Sequence, residues 1–117
     1  MPNPAPASFP PLTPAVFHIL LALAEGPRHG YAVMQEVEAR TGGVVRMGPG
    51  TLYGSLKRMV AASLIEEAGD ADVDGERRRH YALTPLGRAV LQAEARRLES
   101  LVEAARARRV LPKARKA

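Results

Sequence analysis

Arg77-Arg78-Arg79-His80-Tyr81-Ala82-Leu83-Thr84-Pro85-Leu86-Gly87-Arg88 reads as a strand loaded with arginine that turns directly into a helix. Side chains alternate along a strand, so Arg77, Arg79 and Tyr81 share one face and Arg78, His80 and Ala82 the other. Leu83 starts the core, Thr84 suits the cap of the next helix, and Pro85 suits its first position. A strand with this much charge is an exposed ribbon fit to touch something anionic. The competing reading is a solvated edge strand whose charges only discourage aggregation.

Ile65–Ala68 supplies the partner strand, and a polar loop is expected over Gly69–Glu76. Three helices precede this hairpin. Thr13-Pro14 opens the first, with Val16, Ile19, Leu20 and Leu23 at helical spacing, and Gly26-Pro27 ends it. Phe17 and Leu21 widen its apolar surface. The second runs from about Gly30 to Arg40, with Tyr31, Met34 and Val37 inside and Gln35, Glu36 and Glu38 outside, and Gly42-Gly43 stops it. Val44–Met47 is a connector or a single strand. Gly48-Pro49 opens the third helix, with apolar Leu52, Leu56, Met59, Val60 and Leu64. The last helix spans Pro85 to Arg108, and residues 109–117 form a basic tail. Five prolines within Met1–Leu12 oppose helix and ladder alike, so a disordered or extended arm is expected there.

The chain has 117 residues, which suits one domain. Its 17 Lys and Arg against 12 Asp and Glu give a net charge of +5, which favours an anionic partner. Without cysteine there is neither a disulfide framework nor a thiolate metal site. His18, His29 and His80 lie in separate segments, so a histidine metal site is not expected. The apolar stretch Val16–Ala24 is too short to span a bilayer, and the proline-rich start is unlike a secretory signal. A soluble, cytoplasmic chain is expected, with no membrane partner and no cofactor.

On a helical wheel, Leu52, Leu56, Met59 and Val60 of the third helix cluster on one side. Gly50, Thr51, Gly54, Lys57, Arg58 and Ala61 occupy the other, and no acid occurs from Val44 to Leu64. Glycine costs about 1 kcal/mol inside a helix. Gly54 either allows close approach of a bulky surface such as a groove wall, or is a tolerated defect near the first turn. A small, polar N-terminal half followed by Lys57-Arg58 suits insertion into a DNA major groove. Thr51 and Ser55 can bond phosphate or a base edge, aided by the helix dipole. Tyr53, at the boundary, packs inward or lies along the sugar-phosphate backbone.

Helix, helix, helix, hairpin and long helix make a mainly α chain with a small β-hairpin. That order suits a winged helix-turn-helix over 13–84 followed by a dimerisation helix over 85–108. Leu91, Ala95, Leu98, Leu101, Val102 and Ala105 form one seam on the last helix. Either this seam pairs with a second copy, or it folds back on the first helix of its own chain.

Four fragments now carry a family likeness. They are Leu-Leu-Ala-Leu-Ala-Glu-Gly-Pro at 20–27, His29-Gly30-Tyr31, Gly50-Thr51-Leu52-Tyr53 with Leu56-Lys57-Arg58-Met59, and Arg78 to Gly87. In this order and at these intervals the chain resembles the PadR family of bacterial transcriptional regulators, from Leu12 to about Ala107. The resemblance implies a dimeric winged-helix repressor that binds double-stranded operator DNA. Its third helix would read the major groove, the arginine ribbon would contact the backbone or minor groove, and the last helix would pair subunits. It also implies that Tyr31, Tyr53, Lys57 and Arg58 lie near DNA. Gly54 departs from the proline or larger residue common after Leu-Tyr in the family, and the short last helix places the chain with its compact members.

No catalytic grouping can be assembled, so an enzyme is not expected. Asp70, Asp72, Asp74 and Glu76 read as a flexible acidic tip, which moves any ribbon contact to the stem. A winged helix used only for protein contacts is the alternative. The family likeness adds a small apolar or aromatic effector, held between the first and last helices by Phe17, Leu98 and Leu101. An apolar dimer core explains the same residues, and the absence of Trp excludes an indole-stacking pocket.

Overall fold

The computed structural model describes residues 5–113. The expected arm at 1–4 and the end of the basic tail at 114–117 lie outside the described residues. Helix α1, Pro14–Ala22, starts where Thr13 Oγ1 accepts the Val16 N–H at 3.2 Å. Strand β1, Arg28–His29, leads straight into α2, Gly30–Arg40. Gly42 and Gly43 end α2 at φ +61° and +82°, and the Gly43 N–H reaches back to the Glu38 carbonyl at 2.8 Å. Val44–Met47 is a connector, tied by Thr41 Oγ1, which accepts the Val45 N–H at 3.0 Å. Helix α3, Pro49–Ala61, is followed by β2, Ile65–Val73, and β3, Glu76–Leu83; α4 spans Pro85–Ala107.

The sheet differs from the expected hairpin in two ways. It has three strands in the order β1-β3-β2, because Arg28 and His29 pair with Tyr81 and His80. Most of the expected loop is also strand. Asp74 and Gly75, at φ +51° and +81°, form a two-residue turn that matches the twist of the flanking strands. Asp70, Ala71, Asp72 and Val73 therefore pair with Arg79, Arg78, Arg77 and Glu76. A bulge between Glu67 and Asp70 holds Gly69 at φ +93° and bends the ribbon.

Ile19, Leu20 and Leu23, Val33 and Val37, Leu52, Leu56 and Met59, and Ile65, Val90 and Leu91 form one core. Val33, rather than Tyr31, points inward from α2; Tyr31 is 43% exposed. Leu91 is 7% exposed within the chain's own core, so it leaves the expected dimer seam. Where α4 begins, Thr84 donates its N–H to the Leu64 carbonyl at 3.2 Å and its hydroxyl to the Ser63 carbonyl at 2.5 Å. Its Oγ1 accepts the Gly87 N–H at 2.9 Å.

The proline arm is not disordered over its described part. Pro6–Ser8 form a short 3-10 turn against α4, and Phe9 and Leu12 pack on the core. Proline excludes a helix interior but not one such turn, and two apolar anchors offset the ordering cost. The docking also uses Glu94, buried on α4, whose Oε2 accepts the Leu12 N–H at 2.7 Å and Arg97 Nη2 at 3.1 Å. The Arg97 hydrogen bonds hold the Glu94 carboxyl below its ordinary range, against the opposing push of burial.

A carboxyl held low in the fold stabilises it fully above the unfolded value and loses that contribution as pH falls through the folded one. Wild-type urea midpoints should therefore drop below the ordinary carboxylate range. Glu94→Gln should lose about 1–3 kcal/mol near neutrality, and its deficit against wild type should narrow in acid. A constant deficit across that range would show that the carboxylate charge is irrelevant.

Candidate nucleic-acid interface

The outer face of α3 is open. Gly50, Thr51, Tyr53, Lys57 and Arg58 are exposed, and Gly54 is half-buried. Neither Lys57 nor Arg58 pairs with an acid among the described residues. Among the described residues beyond the local helix backbone, a Cβ on Gly54 would meet only Arg58 Nη1, at 3.5 Å, and one on Gly50 would meet nothing within 4 Å. The fold itself therefore needs neither glycine. Ser55 departs from the expected face: it is 4% exposed, and its Oγ accepts Arg58 Nη2 at 3.3 Å. On the wheel Ser55 lies next to Leu52 and Leu56, and it turns inward with them, out of reach of DNA.

Tyr53 takes an intermediate position. It is 47% exposed, yet its ring lies over Gly30, where a Cβ would sit 2.9 Å from Tyr53 Cε1. Glycine at the start of α2 thus lets the two helices of the helix-turn-helix close up. His29 caps the same end, its Nδ1 accepting the Ala32 N–H at 3.2 Å. Burial, with His80 and Arg78 nearby, lowers the His29 pKa and keeps the ring in the neutral form that can accept.

The three ribbon arginines separate by face. Arg77 and Arg79 turn toward α3 across a cleft of about 380 Å³ lined by Tyr53, Lys57, Val60, Glu67, Arg79 and Tyr81, which Arg77 and Asp70 extend. Burial raises the pKa of the Tyr81 hydroxyl, so it remains a donor. Arg78 lies on the opposite face, with its guanidinium 5.5 Å from the Tyr31 ring centroid. Tyr31 is therefore brought to the ribbon and not to the outer face of α3.

Each arginine already has an acid. Arg77 lies 3.4 Å from Asp70, Arg78 2.7 Å from Glu76, and Arg79 3.2 Å from Glu67. Together β2, its turn and β3 hold Glu66, Glu67, Asp70, Asp72, Asp74 and Glu76 against three arginines, so the ribbon is net acidic. The sequence alone places Asp70, Asp72, Asp74 and Glu76 in a loop and Glu66 and Glu67 in the partner strand, and it does not single out Glu67 and Tyr81 as cleft residues. The Asp74-Gly75 turn signal, which sets the register, could have found them.

On α4, Ala95, Leu101 and Val102 are exposed, while Leu98 and Ala105 are half-buried. Leu98 borders a second cleft of about 360 Å³ between the arm, α1 and α4, lined by Leu12, Pro14, Phe17, His18, Glu94, Arg97 and Leu98. Leu101 is not among its lining residues. Among the described residues no helix is long and apolar enough to cross a membrane.

A family model described as "Transcriptional regulator PadR-like family" matches residues 19–93. An uncharacterized 37.1 kDa protein in transposon TN4556 of Streptomyces fradiae is 43% identical over 86 residues. The match covers 71% of this chain but 22% of that protein, so the chain spans less than a quarter of this relative's length. Transcriptional regulator Rv3488 of Mycobacterium tuberculosis is 43% identical over 84 residues, covering 72% of this chain and 75% of the relative. The crystal structure of Bacillus subtilis PadR in complex with operator DNA superposes with a TM-score of 0.58 at 21% identity. That superposition covers 66% of this chain and 44% of that one, and it establishes a shared winged-helix fold.

Proposed function

We propose, from the premise that this chain belongs to the PadR-like family of transcriptional regulators, that it is a sequence-specific regulator binding operator DNA as a two-fold dimer. The family is one of regulators and not of enzymes. The observation that carries the reading is the acid-free outer face of α3, where Lys57 and Arg58 lack acidic partners and glycines at 50 and 54 keep the surface low. A DNA groove wall needs that shape and that charge. The operator complex of Bacillus subtilis PadR, which shares the fold, supports the same use of it.

Pairing is assigned to the C-terminal half of α4, where Ala95, Leu98, Leu101, Val102 and Ala105 continue as a stripe beyond the core. A two-fold pair would set its reading helices about one DNA turn apart. Repression would follow from occupying the operator. Release is assigned to a small apolar or aromatic effector in the cleft between the arm, α1 and α4, where Phe17 and Leu98 meet. Such a regulator works in the cytoplasm, where bacterial DNA lies. A protein-binding winged helix would tolerate the net acidic ribbon, but it would not need the cationic face of α3.

Lys57→Ala and Arg58→Ala should each weaken binding to a duplex enriched from a random pool by roughly 1–3 kcal/mol. Unchanged affinity in both would remove the groove-reading role of α3. Leu101→Asp, at a site 55% exposed, should leave the fold intact and yield monomers in sedimentation. A persistent dimer would place the pairing surface elsewhere.

A further inference from the structure

The cleft between α3 and the ribbon is lined both by groups that bind a phosphodiester and by groups that repel one. Tyr53, Lys57, Arg79 and Tyr81 share it with Glu67, and Arg77 and Asp70 stand at its other end. Arg79 Nη1 lies 3.2 Å from Glu67 Oε1, and its Nε lies 3.9 Å from Asp70 Oδ1. Arg77 Nε is 3.4 Å from Asp70 Oδ2. Strand register holds Asp70 directly opposite Arg79, so the pairing follows from the ribbon's length and its bulge.

We propose that Glu67 and Asp70 compete with the DNA backbone for Arg79 and Arg77, so that the ribbon meets a duplex already neutralised and α3 supplies the attraction. This rests on the reading of α3 and the ribbon as the DNA-facing surface. A carboxylate and a phosphodiester offer a guanidinium the same paired acceptor oxygens. The four side chains are 37–74% exposed, so their ion pairs are weak in water and open to exchange. After exchange the acid stays beside the incoming phosphate, and like charge lowers affinity there. An arginine that arrives neutralised also releases fewer counterions from the duplex.

The test is fluorescence anisotropy of a labelled mixed-sequence duplex across a salt series, with the full chain as wild type, Glu67→Gln, Asp70→Asn and Glu66→Gln. Glu66 is the charge control, since it has no ion-pair partner among the described residues and lies on the opposite ribbon face. Glu67→Gln and Asp70→Asn should tighten binding about threefold to fivefold, and steepen the log–log salt slope by about one unit. Glu66→Gln should do neither. In an Arg79→Ala background the Glu67→Gln gain should shrink to the control's level. If wild type binds and Glu67→Gln matches Glu66→Gln, the competition is overturned while DNA binding stands. If wild type binds no duplex at low ionic strength, both readings fall together.

Discussion

Gly87→Ala should cost at least about 3 kcal/mol of folding stability, the top of the range for overpacking a core. A Cβ built on Gly87 would stand 1.8 Å from the Leu64 carbonyl oxygen and 2.8 Å from its carbon. No rotamer relieves that contact, because both partners are backbone. The carbonyl is also held in place: it accepts the Thr84 N–H, the Thr84 hydroxyl ties the adjacent Ser63 carbonyl, and Thr84 Oγ1 holds the Gly87 amide. Admitting one methyl means parting α4 from the junction of α3 and β2, where Leu64, Ile65 and Val90 are buried. In urea the midpoint should collapse with the slope kept, as for a lost contact in a two-state fold. A midpoint near that of wild type would show that the start of α4 is not pinned in this way.

Gly54→Leu should do the opposite, leaving the fold intact and removing operator binding. Among the described residues beyond the local helix backbone, a Cβ at this site would meet the tip of the Arg58 side chain alone, at 3.5 Å. Leucine is also the better helix former, so stability should rise by roughly 0.5–1 kcal/mol. Gly50, Thr51, Lys57 and Arg58 surround Gly54 on the exposed stripe, so an isobutyl group there would stand between α3 and the groove floor. Holding the helix off the base edges forfeits about 3 kcal/mol or more, roughly a hundredfold or greater loss in affinity. A well-folded Gly54→Leu protein with wild-type affinity would exclude close approach at this position. The contrast between these two glycines separates the one the fold requires from the one only a ligand could require.

Much of this was legible because helix boundaries are written in small side chains. Thr13-Pro14 and Thr84-Pro85 each mark a helix start, and both threonine hydroxyls cap as expected. Gly42-Gly43 marks a helix end, and the wheel of α3 separates its apolar face from an outer one that is exposed but for half-buried Gly54, while Ser55, expected to reach DNA, turns inward. What escaped reading lacks a periodic signature or depends on distant partners. A two-residue strand such as β1 has no alternation to detect, and it exists only because β3 accepts it. Asp70 and Asp72 looked like loop because acids are poor strand formers; the arginines opposite them supply the compensation. Glu94 sits on the buried face of α4, and its position makes sense only once Leu12 and Arg97 are brought to it. Leu91 belongs to the same helical stripe as Leu98, and only the three-dimensional core shows where the intramolecular part of that stripe stops.

The most direct measurement is a titration of the purified chain against a labelled duplex enriched from a random pool, followed by anisotropy as salt is raised. Saturable binding whose log affinity falls linearly with log salt, at two chains per duplex, is the expected result. No anisotropy change with any duplex, even at very low ionic strength, would contradict a DNA-reading role for α3.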